Sequence, residues 1–599
     1  MEIKESLKKL IIIALENLDF EIKDISLEHP ADLKMGDYST NVAMVLAKKN
    51  GVNPKDLAEK IVETLRQAQG EFPEIQEIQA KNGFINFYLS RKFFTESIEE
   101  ILEKKESYGK NNLFSGRKIM VEYTDPNPFK PFHIGHLMTN AIGESVSRIV
   151  EFSGAKTIRA NYQGDVGPHV AKAIYVLMQN PLPVIKGEGE GGGESISQIA
   201  QYIGECYAKG NDAYETDEKT KKEIEEINKK IYERSDERIN EIYDWGKKIT
   251  LEAFEEIYKV LGTNFNYYFF ESIMAPIGEK IVRENISKTE GSESIRRIFE
   301  KSDGAIVFHA EKYDPKLHTR VFINSQGLPT YEAKELGLTK TKFEKENPDL
   351  SIVMTGKEQA DYMRVVKKAI EQIDYEMSTK MVHITHGLMR LTSGKMSSRK
   401  GNVVTGESLL LDSCAQILEK IKDRDFKEEE KEKISKDVGV SALKYSILKQ
   451  SIGGDIVYDK EKSISFEGDS GPYLQYSFAR ANSVLEKAKE IDIHPLPTIP
   501  LANGEGKGMD INFKEPTDIE RLLCRFPEIV LRSAEEFAPH YMINYLVELA
   551  RAFNAYYGST KIIDKDDPAS PYKLALVFAF AIVMKNGLYL LGIKAPERM

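Results

Sequence analysis

The stretch from Lys118 to Tyr162 constrains the chain most. Lys118 to Tyr123 is a short apolar run. His136 to Phe152 then carries Ile142, Val146, Ile149 and Val150 at helical spacing and stops at Ser153-Gly154, and Thr157 to Tyr162 is a second strand-like run. Strand, helix and strand joined by short connections make a βαβ unit, which sets the two strands parallel. Parallel sheets are buried on both faces and need helices on each side. Similar runs recur at Ala305 to Phe308, Arg320 to Ile323, Ser351 to Met354 and Met381 to Thr385, so the sheet is expected to be interrupted and then resumed.

The interruption holds a glycine-rich tract, Gly187 to Gly193, and then Asp217 to Leu261, a charged stretch without proline and with Gly246 as its one glycine. Ile224, Ile227, Ile231, Ile239 and Ile242 follow a helical stripe that does not keep strict heptad spacing, which argues for a helical insertion rather than a coiled coil. Before the βαβ unit, amphipathic helical patterns surround one clear strand, Phe84 to Leu89, entered through Asn82-Gly83. Beyond Lys422, Asp425 to Lys436 reads as a solvated link. Val438 to Ile452, Tyr473 to Ala488, Leu522 to Phe537, Tyr541 to Tyr557 and Tyr572 to Leu591 read as helices. The expected organisation is an α+β domain at 1–112, a doubly wound α/β domain at 113–422 with its insertion at about 180–290, and an all-α bundle at 423–599.

With 599 residues there is room for several cores,. The formal net charge of −11 argues against holding nucleic acid by bulk charge, so any RNA partner must be argued from local sites,. The three cysteines, Cys206, Cys414 and Cys524, are too dispersed for a disulfide framework or a zinc knuckle and fit a reducing, cytoplasmic setting,. The apolar runs Leu10 to Leu15 and Leu574 to Met584 fall short of the ~20 residues of a membrane span,.

Two clusters carry chemistry. Asp125-Pro-Asn-Pro-Phe-Lys-Pro-Phe-His-Ile-Gly-His136 follows a strand and opens a helix. Its two histidines suit metal ligation or a helix start. The convergence of two imidazoles and Gly135 on a helix N-terminus suits a phosphate and a base lying on the backbone. Far downstream, Gly394-Lys-Met-Ser-Ser-Arg-Lys-Gly401 is either a solvated turn or a cationic loop for a leaving polyphosphate,.

Together, His133-Ile-Gly-His136 and Lys395-Met-Ser-Ser-Arg399 resemble the two signatures of class I aminoacyl-tRNA synthetases, and their surroundings resemble the arginyl family. The resemblance runs through Val121 to Lys130, Asn161 to Gly167, Gly327 to Glu335, Gly356-Lys-Glu-Gln359, the tail Leu591 to Met599 and, near the N-terminus, Met35-Gly-Asp-Tyr-Ser-Thr-Asn41. It implies a split Rossmann catalytic domain with an N-terminal tRNA-elbow domain and a C-terminal anticodon-binding domain. The implied reaction is ligation of L-arginine to tRNA(Arg) through an arginyl-adenylate. ATP with Mg2+ would be a substrate complex, with no structural metal, no DNA and no membrane involved, and the chain would be a cytoplasmic monomer. Other class I synthetases and a non-catalytic RNA-binding relative are the alternatives.

By the same resemblance, His133, His136, Lys395 and Lys130 hold the phosphates in the transition state. Gly135, Gly387, Met396, Ser397, Ser398 and Arg399 attend ATP. Glu122, Asn127, Tyr331, Glu335 and Gln359 surround arginine, as planar carboxylates suit a guanidinium. Phe84 and Asn86 are candidates for the tRNA elbow, and Tyr473, Gln475 and Tyr557, with Tyr476, Arg480, Phe553 and Asn554, for anticodon bases. Two positions depart from the family pattern. Ser398 replaces the loop's second lysine, a gap that Lys130 is expected to fill, and Glu335 stands where the family usually has Asp.

Overall fold

A computed structural model describes residues 2–22, 24–180, 183, 194–286, 298–392, 405–496 and 515–599. The glycine-rich tract and the loop carrying Lys395, Met396, Ser397, Ser398 and Arg399 lie outside the described residues. The βαβ unit forms as expected: strand Lys118–Glu122, helix Ile134–Phe152 and strand Lys156–Gln163. These strands belong to a five-stranded parallel sheet in the order Met381–His386, Leu350–Gly356, Lys118–Glu122, Lys156–Gln163, Tyr267–Phe270. Lys118–Glu122, the first of these five strands along the chain, is central, so strand order reverses between it and Leu350–Gly356. In open α/β sheets that switch point opens a crevice outside the carboxyl ends of the strands.

Two expectations about this sheet are corrected. Ala305–Phe308 and Arg320–Ile323 do not resume it but form a separate antiparallel sheet with Glu300–Ser302. The cause is local: Asp303 and Gly304 both adopt positive φ (47° and 79°), the two-residue Asp-Gly turn that closes a hairpin. Conversely, Tyr267–Phe270, inside the span assigned to the insertion, pairs in parallel with Lys156–Gln163 and is an edge strand of the main sheet. Helices Ile196–Thr216, Glu218–Glu233 and Glu237–Leu261 follow one another in the insertion. Asp217 and Asp236 cap the second and third through Thr220 N and Ile239 N,. The isoleucine stripe lies in their shared core with Val170, Ile174 and Ile203.

The N-terminal unit packs helices Glu2–Glu16, Val42–Asn50 and Pro54–Ala68 against an antiparallel sheet of Tyr38–Thr40, Phe84–Leu89 and Ile75–Lys81. In the C-terminal unit the expected solvated link is helical from Glu428, because Glu428, Glu429 and Glu430 favour a helix N-terminus and nothing there breaks a helix,. The helix expected over Leu522 to Phe537 divides into Asp518–Leu523 and Phe526–Glu535, with Pro527 opening the second,. Helix Ser570–Leu590 is long and apolar enough to cross a membrane by composition, longer than its apolar run suggested. Of its most apolar 18-residue stretch, 78% is buried at the centre of the bundle, which accounts for its apolarity.

Ion pairs fasten the two end units together. Asp37, 4% exposed, accepts from the Leu89 amide at 2.8 Å and pairs with Arg521. Glu520, fully buried, receives Arg91 and Tyr572, and Tyr38 and His29 reach Glu528. Breaking a buried pair by deleting one partner leaves an uncompensated charge. Arg521→Ala is therefore expected to lower the unfolding free energy in urea by about 3 kcal/mol, with Arg521→Lys losing less. An unchanged urea midpoint for Arg521→Ala would show that Asp37 does not depend on this partner.

Candidate active site

The crevice at the switch point is a cleft of about 530 Å³. Its floor comes from the carboxyl ends of the central strands, and its walls from the loop after Glu122, the start of helix Tyr331–Glu346 and the turn Lys357–Gln359. The loop is strained. Thr124, Asp125 and Phe129 all have positive φ (81°, 48° and 67°), rare for any side chain and an outlier for a β-branched one,. Its surroundings hold it there. Asn140 donates to Thr124 Oγ1 at 3.0 Å, and the Tyr162 amide donates to Asp125 Oδ1 at 2.7 Å. The Phe129 ring stacks on Tyr243 at 6.2 Å and lies where a side chain at Gly246 would stand.

Past this loop, His133 caps helix Ile134–Phe152 and stacks on His136, with ring centroids 3.5 Å apart. The His133 amide donates to His136 Nδ1 at 3.3 Å, which leaves the neutral ring's proton on Nε2,. Burial, and then Lys130, push His133 down to about 4. Burial, His133 and Lys130 hold His136 well below its usual value. Both are therefore neutral hydrogen-bond donors at pH 7, set at a helix N-terminus that favours anions.

The opposite end is acidic. Glu122 ends the central strand and is 2% exposed, Glu335 is 5% exposed, and Glu271 starts helix Glu271–Glu284 beside them. Glu122 pairs with the buried Lys342, and Glu271 with Lys334 at 2.6 Å. Glu335 Oε1 and the Tyr162 hydroxyl are buried without a hydrogen-bond partner among the described residues. Burial first, and then the Glu122 carboxylate, raise Glu335 to about 8. Asp125 is raised for the same two reasons. A side chain at Gly164 would collide with Asn127 Oδ1, so that glycine admits the Asn127 amide to the cleft.

The cleft brings together Glu122, Asn127, His133, Gly135, His136, Tyr331, Glu335 and Gln359. Two expected ATP contacts stand elsewhere. Lys130 Nζ lies 5.2 Å from the Tyr207 ring of the insertion, outside the cleft lining. Gly387 is pressed against the Gly454 carbonyl, which leaves no space for a side chain, and its neighbour His386 faces the cleft instead. The sequence reading missed Tyr162, Glu271, Arg320, Glu332, Glu358 and Tyr362 as lining residues. Tyr162, Glu332 and Glu358 lie inside the motifs named above but were not singled out, and Glu271, Arg320 and Tyr362 lie outside them.

Of the RNA candidates, Phe84 is 42% exposed although a strand Phe could equally be core. Asn86 is corrected: it is 2% exposed and its Oδ1 accepts from Ser39 at 2.7 Å, so it does not reach solvent. Gln475 is corrected likewise, being fully buried with Nε2 donating to the Lys594 carbonyl at 2.8 Å. Phe553 is core, stacked on Phe580 at 3.8 Å. Arg480 lies over Tyr476 and Tyr557, and Asn554 donates to the Tyr473 hydroxyl at 3.0 Å, which makes a partly exposed aromatic and polar patch.

A parallel sheet with its switch-point cleft, and paired imidazoles where a helix opens into it, fits the class I aminoacyl-tRNA synthetases, and the family model for that class matches the chain. The family model for the class I (R) tRNA synthetase catalytic domain matches residues 97–459, that for the arginyl-tRNA synthetase N-terminal domain residues 1–89, and that for the DALR anticodon-binding domain residues 474–599. The chain belongs to the arginyl-tRNA synthetases. It is 30% identical to the arginine-tRNA ligase of Borreliella afzelii, over 100% of this chain and 99% of the relative. It is also 30% identical to that of Clostridium perfringens, over 99% and 100%. Its fold matches the arginyl-tRNA synthetase structures of Thermus thermophilus (TM-score 0.74, 24% identity, 99% of this chain and 100% of that one) and Plasmodium falciparum (0.73, 19%, 100% and 99%). Its activity is ATP-dependent ligation of arginine to tRNA(Arg).

The buried histidine pair has its own signature. Followed by NMR, the His133 ring is expected to titrate near pH 4 in the ligand-free protein and to stay neutral through pH 5 to 8. A midpoint near 6.5 would show that the ring is hydrated and not enclosed.

Proposed function

We propose that the acidic end of the cleft holds the guanidinium of arginine and the imidazole end holds ATP, so that the arginine carboxylate meets the α-phosphate between them. The observation that carries this reading is the Glu335 carboxylate, buried beside Glu122 with one oxygen unpartnered. A planar cation with several donors suits that pair best. Asn127, Tyr331 and Gln359, on three different elements around the cleft, hold the rest of the amino acid.

In the first step a carboxylate oxygen of arginine bonds to the α-phosphorus and pyrophosphate leaves. His133 and His136 donate to the phosphate oxygens as charge builds there, and adenine lies over the backbone at Gly135, where the His133 ring fills the space a side chain would take. Lys395, outside the described residues, holds the β- and γ-phosphates, and Lys130 joins it by leaving the Tyr207 ring on which it lies in the ligand-free protein. In the second step a hydroxyl of the tRNA's terminal ribose attacks the carbonyl carbon and AMP leaves. Mg2+ arrives as part of the substrate, on the ATP phosphates. Phe84 contacts the tRNA elbow, and Tyr473, Tyr476, Arg480 and Tyr557 contact anticodon bases. The enzyme acts as a cytoplasmic monomer; the free thiols of Cys206, Cys414 and Cys524 suit a reducing compartment,.

Glu335→Gln keeps shape and removes charge. It is expected to raise the KM for arginine and to narrow the margin against citrulline, which a buried polar site otherwise rejects by ~10⁴–10⁵, while tRNA affinity stays the same. Glu335→Asp should be milder. Arginine KM unaltered in Glu335→Gln would remove Glu335 from the pocket. Lys130→Ala is expected to lower turnover on the order of 10²–10³, as for a transition-state electrostatic contact, with little change in arginine affinity. Unchanged turnover would assign that role to Arg399 or Lys400.

A further inference from the structure

Lys342 is a lysine with no place in the reaction as described. It is 1% exposed, does not line the cleft, and lies on helix Tyr331–Glu346 two turns beyond Glu335, on the same face,. Helical side chains lean toward the N-terminus, and this one ends on Glu122 Oε2, behind the wall that Glu122 presents to the cleft. Full burial of an ammonium carries a large desolvation penalty. An apolar residue would fill the space without that penalty, so the charge itself needs an explanation.

We propose that Lys342 is a positioning residue for substrate choice: by pairing with Glu122 from behind, it fixes the carboxylate edge offered to a guanidinium and leaves the pocket room for one further positive charge. The inference rests on the arginine pocket assigned above. Lys342 neutralises Glu122, so the remaining negative charge falls to Glu335, on the ligand side.

The groups facing Glu335 are Glu122 from the central strand, Asp125 from the strained loop, Glu271 from helix Glu271–Glu284, Tyr162, Tyr362, and Lys342 from its own helix. Among those that act on its proton, the carboxylates raise it and Lys342 alone opposes them. In the ligand-free protein at neutral pH, Glu335 therefore keeps its proton. An arriving guanidinium favours the charged form, so the O–H bond breaks, the proton goes to the buffer, and one cation replaces another. Arginine affinity then rises with pH up to about 8 and levels off above it. Without Lys342 the midpoint moves higher, and a shift of one pH unit is tenfold in affinity at pH 7.

The test is the arginine KM in aminoacylation, with saturating ATP and tRNA, between pH 6.5 and 8.5, for the unmodified enzyme, Lys342→Gln and Glu122→Gln. Lys342→Gln is expected to raise KM about tenfold at pH 7, the gap narrowing as pH rises, with kcat and the KM for tRNA little changed. An unmoved pH profile, or kcat and KM altered together without a shift in midpoint, would assign Lys342 a structural role and overturn the proposal. Glu122→Gln separates the two readings. If it leaves arginine KM unaltered, the pocket assignment fails; if it raises KM while Lys342→Gln does not, only the role of Lys342 fails. Should Lys342→Gln not fold, Lys342→Arg serves instead. It keeps the charge, so the midpoint must stay where the unmodified enzyme has it, and a shifted midpoint overturns the proposal.

Discussion

Carboxylates held out of water are unstable as charges unless cations are built against them, and the catalytic domain is arranged around that constraint. Glu122, Glu271 and Glu335 converge, all buried, at the carboxyl ends of the strands of the parallel sheet. One helix, Tyr331–Glu346, brings Glu335 together with the two lysines, Lys334 and Lys342, that answer the other two. The helix is buried on most of its surface, which is why its pattern is not amphipathic: Lys334, Glu335 and Lys342 are interior residues as much as Leu336 and Leu338 are. The switch in strand order gives these groups a cleft to face.

The same logic fixes the insertion to the site. Asp165, fully buried, receives Lys247 at 2.6 Å and Tyr243 at 2.9 Å from helix Glu237–Leu261, and the Ser272 amide at 2.8 Å from the helix that starts with Glu271. One carboxylate thus ties the insertion, the end of strand Lys156–Gln163 and the acidic wall into a single unit. The strained loop is held between them, with Phe129 packed on Gly246 of the insertion. Strain of this kind persists only where the surroundings over-determine it, and here they are Asn140, Tyr162 and the insertion helix.

The end units meet through another set of enclosed charges, Asp37 with Arg521 and Glu520 with Arg91. Asp37 lies in the Met35 to Asn41 motif. Its contacts show that the motif's acid serves the junction between the N-terminal and helical units, while Phe84 on the same sheet remains on the surface.

The sequence by itself determined the parallel sheet, its βαβ start, the helical insertion and the two clusters that mark the reaction, because each is written in local periodicity or in a contiguous motif. Eight of the expected site residues converge on one cleft, and all of them lie within such motifs. The tertiary structure decided what depends on distant partners. The Asp303-Gly304 turn removed two strands from the sheet, although their runs look like any other. Tyr267–Phe270 joined the sheet because an edge was open beside Lys156–Gln163. Asn86 and Gln475 look like readers of RNA by type, yet packing enclosed them. Lys342 and Glu122 are far apart in the chain, and no periodicity links them. They meet because a strand end and a helix two turns past Glu335 are pressed together, and the charge of each is tolerable only in the presence of the other.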